Sequence, residues 1–544
     1  MTILGPGTPG TAHPEAATAP ESGTPRGVAV AAATLPEALA AQAGRAAATV
    51  TFGTSARRET LTYPEFARQT AAAAAGFAHQ GVRPGDRVLL RAGSSRESLL
   101  GLLALLHLGA VPVSVKPRVP GAVLGQYLAT VARQQHARHA FRLTVTVPGL
   151  TALRLDPRPD RAAGPAARDP QEPAFVQYTS GSTGMPRPIP LTHRAVLGNI
   201  AAIRDVSGMR PGHTGLMALP LHHDMGLIGT LTALVQGADV VLEEPGTFLR
   251  RPLAALRLVR DAERVHSAFP DFMLRYLGAR ITEAAEREQP DPALFKAWGT
   301  VFCGAEPIRR ASVGTFLDAT ARWGFDPTAL VFCYGLAEAV LMATSHRLTD
   351  PATAFRTRGP VATACLGTPV PGLGLRVVNE SGDRCPETET GRVQLRGATL
   401  FDGYDGATDH RTTWFDTGDL GYLDAGRLYL NGRRADRVSV NGTNVFAADV
   451  EQAAATEPGV AECVALPYGA SFAVVVVAER GRRVDTGAVA ARITADFTVA
   501  PEAVLDVPHT AVIRTASGKP ARTRMTARLR ESGLLPPAPL PAGP

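Results

Sequence analysis

The chain has 544 residues, of which 45% are hydrophobic and 19% are charged, so it is long enough for two or more globular domains. Its formal net charge is +7, but 56 basic and 49 acidic residues are mixed along the sequence. This mixing argues against a nucleic-acid-binding arm. A diffuse positive charge suits an anionic partner such as ATP or an acidic carrier protein.

The cysteines and the apolar stretches exclude several other classes. Five scattered cysteines without C-x-x-C spacing argue against a disulfide framework and a zinc site. Residues 1–27 are rich in Gly, Pro, Ala and Thr and lack the features of a signal peptide, so we predict a disordered leader. The most apolar stretch, 99–115, is too short and interrupted to cross a bilayer. We expect a cytoplasmic protein without membrane insertion.

Strand and helix patterns alternate through residue 340. Residues 63–81 are Ala-rich with helical spacing, and Thr192 is expected to cap a helix over 193–205. An apolar strand is predicted at 174–176. The other predicted elements are a helix at 252–263 and strands at 86–90, 216–219, 238–242, 301–303 and 330–333. The alternation predicts an α/β fold with mostly parallel sheets.

After residue 367 the pattern becomes rich in short strands, and a last α+β unit begins near residue 434. The predicted strands are 375–378, 391–396, 428–430, 438–440 and 472–477, and the predicted helix is 447–455. We therefore expect a large N-terminal domain of layered α/β sheets plus a β-rich subdomain at 28–433. A hinge at 433–436 would connect it to a small mobile α+β domain at 434–534, followed by a flexible tail at 535–544.

A loop of small and hydroxylated residues follows the strand predicted at 174–176. The string at 178–187 reads Tyr-Thr-Ser-Gly-Ser-Thr-Gly-Met-Pro-Arg. Such a loop can turn backbone N–H groups and hydroxyls toward one phosphate chain, because no bulky side chain blocks the approach. It lacks the Gly-Lys-Ser/Thr of the Walker motif. The alternative is an ordinary polar surface loop.

Four further strings follow in order: Gly-Ala-Glu-Pro at 304–307, Tyr-Gly-Leu-Ala-Glu at 334–338, Thr-Gly-Asp at 417–419 and Arg-Thr-Ala-Ser-Gly-Lys-Pro-Ala-Arg at 514–522. Taken alone, the strings at 334–338 and 417–419 are common turns. A Lys in a Gly-containing loop is usually a solvated surface residue. Together with the loop at 178–187 they resemble the adenylate-forming superfamily of acyl-CoA synthetases, peptide-synthetase adenylation domains and luciferases. The resemblance covers residues 60–525 and implies activation of a carboxylic acid by ATP and Mg²⁺.

The resemblance also implies a role for individual residues. Tyr334 would stack on adenine, Asp419 would bind the ribose hydroxyls, and Lys519 would be the catalytic lysine. Glu338 and Thr183 would act in catalysis by holding Mg²⁺, which prefers oxygen ligands. The remaining implied nucleotide-binding residues are Thr179, Ser180, Gly181, Ser182, Gly184, Arg187, Gly304, Ala305, Glu306, Gly335 and Arg433.

The chemistry explains why a mobile lysine is needed. A carboxylate attacks the α-phosphate while negative charge builds there and on pyrophosphate, and an ammonium group can bridge both oxygens.

The string Leu-Pro-Leu-His-His-Asp-Met-Gly-Leu-Ile-Gly at 219–229 looks like that of the fatty acyl-AMP ligases, which pass acyl groups to acyl carrier proteins. It implies that His222, His223, Asp224 and Phe269 line the acid-binding pocket. A metal site at the His-His-Asp triplet is the alternative, but no further ligands cluster nearby in sequence. Because no carrier-protein motif follows residue 525, the carrier is expected to be a separate chain.

Several departures from the family pattern keep other acceptors open. Arg187 replaces the usual Lys, Ala435 stands at the pivot position, and Ala447 replaces a Pro near the thiol entry. Only about twenty residues separate Thr344 from Gly367, which is short for the acyl-AMP ligases and weakens the exclusion of coenzyme A. Free coenzyme A, an amine acceptor, and a catalytically silent binding scaffold are the alternatives.

Overall fold

The structure is a computed structural model. It describes residues 32–54, 58–115, 121–178, 187–358, 361–404, 408–440, 443–469, 471–514 and 520–535. The predicted leader at 1–27, the loop residues 179–184 and Lys519 lie outside these ranges.

The helices of the described chain fall into two groups along the sequence. The first eleven precede residue 322 and are α1 (Leu35–Ala40), α2 (Tyr63–His79), α3 (Arg96–His107), α4 (Gly121–Gln134), α5 (His193–Ser207), α6 (Asp224–Val235), α7 (Pro245–Arg250), α8 (Pro252–Leu258), α9 (Asp271–Ala285), α10 (Ala293–Lys296) and α11 (Arg310–Ala321). The last three follow residue 446 and are α12 (Ala447–Ala454), α13 (Thr486–Phe497) and α14 (Arg522–Glu531).

The strands are numbered in the same way. The first thirteen are β1 (Thr49–Phe52), β2 (Glu59–Thr62), β3 (Arg87–Arg91), β4 (Val111–Val115), β5 (His139–Phe141), β6 (Thr151–Leu153), β7 (Pro173–Tyr178), β8 (Pro188–Thr192), β9 (Thr214–Met217), β10 (Asp239–Leu242), β11 (Val265–Ala268), β12 (Trp298–Cys303) and β13 (Leu330–Gly335). The others are β14 (Met342–Arg347), β15 (Phe355–Arg358), β16 (Val361–Ala364), β17 (Thr368–Pro369), β18 (Leu373–Val378), β19 (Gly391–Gly397), β20 (Phe415–Asp424), β21 (Arg427–Arg433), β22 (Arg437–Val440), β23 (Thr443–Phe446), β24 (Val460–Tyr468), β25 (Ser471–Ala478) and β26 (Ala503–Asp506).

Two large sheets build the N-terminal part. One has nine strands in the order β17-β14-β13-β12-β11-β9-β10-β1-β2, parallel from β13 to β1 and antiparallel at both edges. The other has the order β6-β5-β3-β4-β7-β8, with only β7 and β8 antiparallel. These sheets confirm the predicted α/β fold.

A four-stranded antiparallel sheet, β18-β19-β20-β21, forms the predicted β-rich part, and β24-β25-β26 forms the last sheet. Alternate residues of β25 face opposite sides of this last sheet. Val474 and Val476 pack in a cluster with α12 and α13, whereas Val475 and Val477 pack in a cluster with α14. Helices therefore cover both faces of the small C-terminal sheet.

Most predicted elements are present, with shifted ends. Thr192 caps α5 as predicted, since its Oγ1 accepts the Ala195 N–H at 3.2 Å. The helix predicted at 252–263 ends at Leu258, because Val259 and Arg260 donate instead to carbonyls three residues back, which tightens and closes the last turn. Leu535, predicted as the start of a flexible tail, is 2% exposed and packs in the cluster with α14. Leu535 is therefore packed and not frayed as predicted, and the rest of the predicted tail, 536–544, lies outside the described residues.

Among the described residues, no helix combines the length and the apolar composition that crossing a membrane requires.

Candidate active site

The nine-stranded sheet brings four predicted motifs to one edge. Strands β9, β11, β12 and β13 are parallel neighbours, so their carboxyl ends meet there. The residues that follow them include the histidine pair at 222–223, Phe269, the Gly-Ala-Glu at 304–306 and Glu338. Ligands of open α/β sheets bind at this edge. The topology therefore assembles segments that are more than 100 residues apart in sequence.

Tyr334, Asp419 and Arg433 form one hydrogen-bonded group at this edge. The Tyr334 hydroxyl donates to Asp419 Oδ2 at 2.6 Å, and Arg433 Nε lies 3.2 Å from Asp419 Oδ1. Asp419 is 6% exposed, whereas about half of the Arg433 side chain is exposed. Burial, aided by the Asp419 charge, raises the pKa of Tyr334, so its hydroxyl stays protonated and donates. The sequence placed all three at the nucleotide, and the structure brings them together.

Glu338 lies in a second group with Tyr404 and Arg187. The Tyr404 hydroxyl donates to Glu338 Oε1 at 2.5 Å, and the Arg187 guanidinium lies 5.3 Å from the centroid of the Tyr404 ring. Tyr404 is 43% exposed, one of the most exposed large aromatic side chains described. Sequence reasoning missed Tyr404. The available sequence signal was the preceding glycine, Gly403, because glycine favours constrained turns, and in the structure Gly403 has φ +73°.

The environment of Glu338 fits a divalent cation bound together with phosphates. Burial raises the pKa of Glu338, although the Tyr404 hydroxyl and the charge of Arg433 act in the opposite direction. No group of three or more His, Cys, Asp or Glu side chains in the described ranges could hold a metal ion by itself. Mg²⁺ commonly binds through one or two carboxylates plus substrate phosphates and waters. A single buried carboxylate beside the predicted nucleotide-binding residues therefore suits Mg²⁺, which would neutralise phosphate charge.

Replacing Glu338 with Gln is expected to raise the Mg²⁺ concentration needed for activity, because one anionic ligand becomes neutral. In the wild type, this Mg²⁺ requirement should increase as the pH falls toward the raised pKa of Glu338, since protonation removes the anion. The variant should lose that pH dependence. Mg²⁺ titrations of pyrophosphate release at several pH values measure both effects.

Glu286→Gln provides the matched control, because Glu286 is an exposed residue just beyond α9. Superimposable Mg²⁺ titrations for Glu338→Gln and wild type would remove Glu338 from the metal site.

The Gly-Ala-Glu segment has a structural role that its sequence did not reveal. A Cβ on Gly304 would lie 2.5 Å from the Cys333 carbonyl oxygen, so glycine permits the close approach of β12 and β13. A Cβ on Gly335 would lie 1.7 Å from the Leu341 carbonyl oxygen. Glu306 Oε1 accepts the Phe272 N–H at 2.7 Å, which ties the segment to the first turn of α9. Contact of Gly304, Ala305 and Glu306 with adenine stays a prediction.

The predicted acid-binding residues divide into two environments. His222 and His223 are half-buried, with ring centroids 4.5 Å apart, and Asp224 begins α6, where its Oδ1 accepts the Met225 N–H at 2.8 Å. The charge of Asp224 adds to the raised pKa of Glu338, the carboxylate predicted to hold Mg²⁺. The Phe269 ring is wholly buried and packs against Trp298, with 5.7 Å between ring centroids. Its assignment to the acid pocket also stays a prediction.

Comparison with known proteins decides the family. Residues 35–405 match the AMP-binding enzyme family. The chain belongs to the AMP-binding enzymes. It is 30% identical over 515 residues to the Mycobacterium tuberculosis protein Rv1013, an alignment that covers 84% of this chain and 92% of the relative.

Two further proteins similar to this AMP-binding enzyme have names that state the acids on which they act. It is 28% identical over 312 residues to JamA of Moorena producens, a medium-chain-fatty-acid–acyl-carrier-protein ligase, covering 51% of this chain and 52% of JamA. A solved structure from work on the fatty acyl-adenylate ligases of E. coli and L. pneumophila has a TM-score of 0.81 at 28% identity. That match covers 92% of this chain and 98% of the other. The chain is thus an adenylate-forming, acid-activating ligase that uses ATP and resembles fatty acyl-AMP ligases.

Proposed function

We propose that this enzyme joins a carboxylic acid to AMP and then passes the acyl group to the phosphopantetheine thiol of a separate acyl carrier protein. The observation that supports the first step is the convergence of Tyr334, Asp419, Arg433 and Glu338 at the carboxyl edge of the sheet. The similarity to JamA and to the fatty acyl-adenylate ligases supports the carrier protein as acceptor.

In the first step, a carboxylate oxygen of the acid attacks the α-phosphorus of ATP, and the bond to pyrophosphate breaks. Asp419 would hold the ribose, since a carboxylate offers about four acceptor positions and can accept hydroxyl hydrogens in addition to its Tyr334 and Arg433 contacts. Arg187, near Tyr404, and Arg433 supply positive charge where phosphate charge develops. His222, His223 and Asp224 would border the acid.

In the second step, the thiol attacks the acyl carbonyl, the thiol proton is lost, and AMP leaves. The contacts between the C-terminal part and the N-terminal part include two hydrogen bonds: Arg275 Nη1 donates to the Ala461 carbonyl at 3.3 Å, and Gln452 Nε2 donates to the Ala362 carbonyl at 3.4 Å. These are single, partly exposed hydrogen bonds, worth about 1 kcal/mol each. We propose that they break when the residues after Arg433 rotate to admit the thiol.

Replacing Ala435 with Pro is expected to spare adenylate formation and to impair thioester formation. Ala435 lies in the short 3-10 turn Arg434–Asp436 that directly follows β21, and proline would restrict backbone rotation there. Pyrophosphate–ATP exchange measures the first step, and acyl transfer to the thiol measures the second. Ala435→Gly, which preserves rotation, is the control. Equal losses in both steps would indicate misfolding and contradict the hinge.

The acceptor is tested by direct competition. The enzyme is given ATP, Mg²⁺ and a panel of fatty, aryl, hydroxy and amino acids, with either coenzyme A or phosphopantetheinylated carrier proteins. We expect carrier loading, and we expect it to slow as salt increases, because carrier proteins are typically acidic and salt screens charge attraction. Mass spectrometry of the carrier and chromatography of acyl-CoA measure the products.

Efficient acyl-CoA formation without carrier loading would replace this proposal with the second candidate, an acyl-CoA synthetase. One structural observation favours that candidate. Among its described residues, the connection between β14 and β17 contains the short β15–β16 hairpin and no extra loop of the kind expected for acyl-AMP ligases.

A further inference from the structure

The sheet β18-β19-β20-β21 carries arginines on the face that turns away from the core. In the β18–β19 register, Arg376 pairs with Gln394, and Arg392 and Arg396 lie two residues to either side of Gln394. These side chains share one face because strand residues alternate. The opposite face carries Val377, Val393 and Leu395, which are at most 3% exposed. The sequence Arg-Val-Gln-Leu-Arg at 392–396 therefore places Arg392, Gln394 and Arg396 on one face and the aliphatic Val393 and Leu395 on the other.

Trp414, just before β20, orders two of these arginines. The guanidinium carbons of Arg376 and Arg396 lie 4.4 and 4.7 Å from the centroid of the Trp414 ring. Arginine stacked on tryptophan is a cation–π arrangement that holds the guanidinium group in a defined orientation. All three side chains are half-buried. We call Arg376, Arg384, Arg392, Arg396 and Trp414 the arginine–tryptophan face.

The positive charges of this face crowd one another. Burial lowers the pKa of Arg376, and the positive charges of Arg384, Arg396 and Arg392 lower it further. Of these four arginines, only Arg392 has its charge compensated by carboxylates, those of Asp416 at 2.8 Å and Glu380 at 3.8 Å. Among the described residues, no carboxylate lies within 4 Å of the other three. Uncompensated like charges repel, so an anionic surface would be favoured here.

The face is continuous with the hinge and with the nucleotide site. Asp416 Oδ2, which accepts from Arg392, lies 3.8 Å from Nη1 of Arg434, the first residue after β21. The preceding residue, Arg433, contacts Asp419. A partner bound to the arginine–tryptophan face would therefore lie beside the segment that must turn before the thiol can enter.

We propose that the arginine–tryptophan face is the docking surface for an acidic carrier protein, an inference that rests on the proposed carrier-loading function. Arginine and tryptophan are enriched among the residues that contribute most binding energy at protein interfaces. Here the guanidinium groups are spread over a sheet face and ordered by one aromatic ring, an arrangement that suits several carboxylates of a partner better than one small anion. The face binds the carrier and leaves adenylate formation to the site at Glu338 and Asp419.

The test is the charge-reversal variant Arg384→Glu/Arg396→Glu, with Arg287→Glu/Arg322→Glu as control. Arg287 and Arg322 are exposed residues just after α9 and α11. These helices end at the edge of the sheet opposite the site, because their flanking strands are parallel. We expect the first variant to lower kcat/KM for carrier loading at least roughly tenfold, mainly through KM, and to weaken its salt dependence. Pyrophosphate–ATP exchange should be unchanged in both variants.

The possible outcomes separate the two proposals. If wild type loads no carrier at all, the proposed function fails, whatever the variants do. If wild type loads the carrier and Arg384→Glu/Arg396→Glu loads it equally well, this docking surface is wrong. Should the double variant also lose pyrophosphate exchange, the single variant Arg384→Glu decides, because Arg384 is an exposed residue. The KM of the Arg384→Glu variant for the carrier protein must rise relative to that of Arg287→Glu, and an unchanged KM would overturn the proposal.

Discussion

Replacing Lys519 with alanine is expected to slow adenylate formation by ~10²–10³ while leaving ATP binding largely intact. Charge builds on the α-phosphate and pyrophosphate only as the reaction proceeds, so an ammonium group that bridges them stabilises the transition state more than bound ATP. The residues that flank the lysine loop, Arg514 and Pro520, pair as an antiparallel bridge, and Arg514 forms an ion pair with Glu462. The ends of the loop are thus fixed by the C-terminal domain.

Pyrophosphate–ATP exchange measures this rate, and equilibrium binding of a non-hydrolysable ATP analogue measures affinity. Lys296→Ala is the matched control, since Lys296 is an exposed lysine at the end of α10. Retention of more than about a third of wild-type adenylation would exclude Lys519 from the transition-state interactions assumed here.

Replacing Asp419 with alanine is expected to produce the second large loss, a decrease of at least about tenfold in kcat/KM for ATP. A hydrogen bond to a charged group is worth about 1.5–3 kcal/mol, and the substitution removes the acceptor proposed for ribose. It also leaves the buried Tyr334 hydroxyl and the Arg433 guanidinium without their shared carboxylate. The effect should be seen mainly in KM, because ribose contacts are made before and during the reaction.

Two further variants separate the contributions within this group. Tyr334→Phe keeps the aromatic ring and the Asp419–Arg433 ion pair, so it should be less damaging than Asp419→Ala. Asp419→Asn keeps the shape but loses the charge and should lie between them. Steady-state kinetics with varied ATP give the order, with thermal unfolding as a check on folding. If Tyr334→Phe were as damaging as Asp419→Ala, the carboxylate would act only through Tyr334 and not on ribose.

The sequence by itself determined the α/β fold, the family, and the order of the motifs. These features depend on short-range patterns: apolar runs for the buried strands, Thr192 for the start of α5, and the composition of the loop at 178–187. Each pattern needs only a few adjacent residues, so it can be recognised without knowledge of the packing. The ends of helices were less predictable, as α8 shows, because tertiary contacts and turn hydrogen bonds set the last turn.

Only the tertiary structure revealed the hydrogen bonds from Tyr404 to Glu338 and from the α9 backbone to Glu306. It also revealed the stacking of Arg376 and Arg396 on Trp414. The residues of each pair are separated by 18 to 66 positions in the sequence. Such contacts arise from strand register and loop closure, which no local pattern encodes. The sequence therefore predicted which residues carry the chemistry, whereas packing decided which side chains contact them.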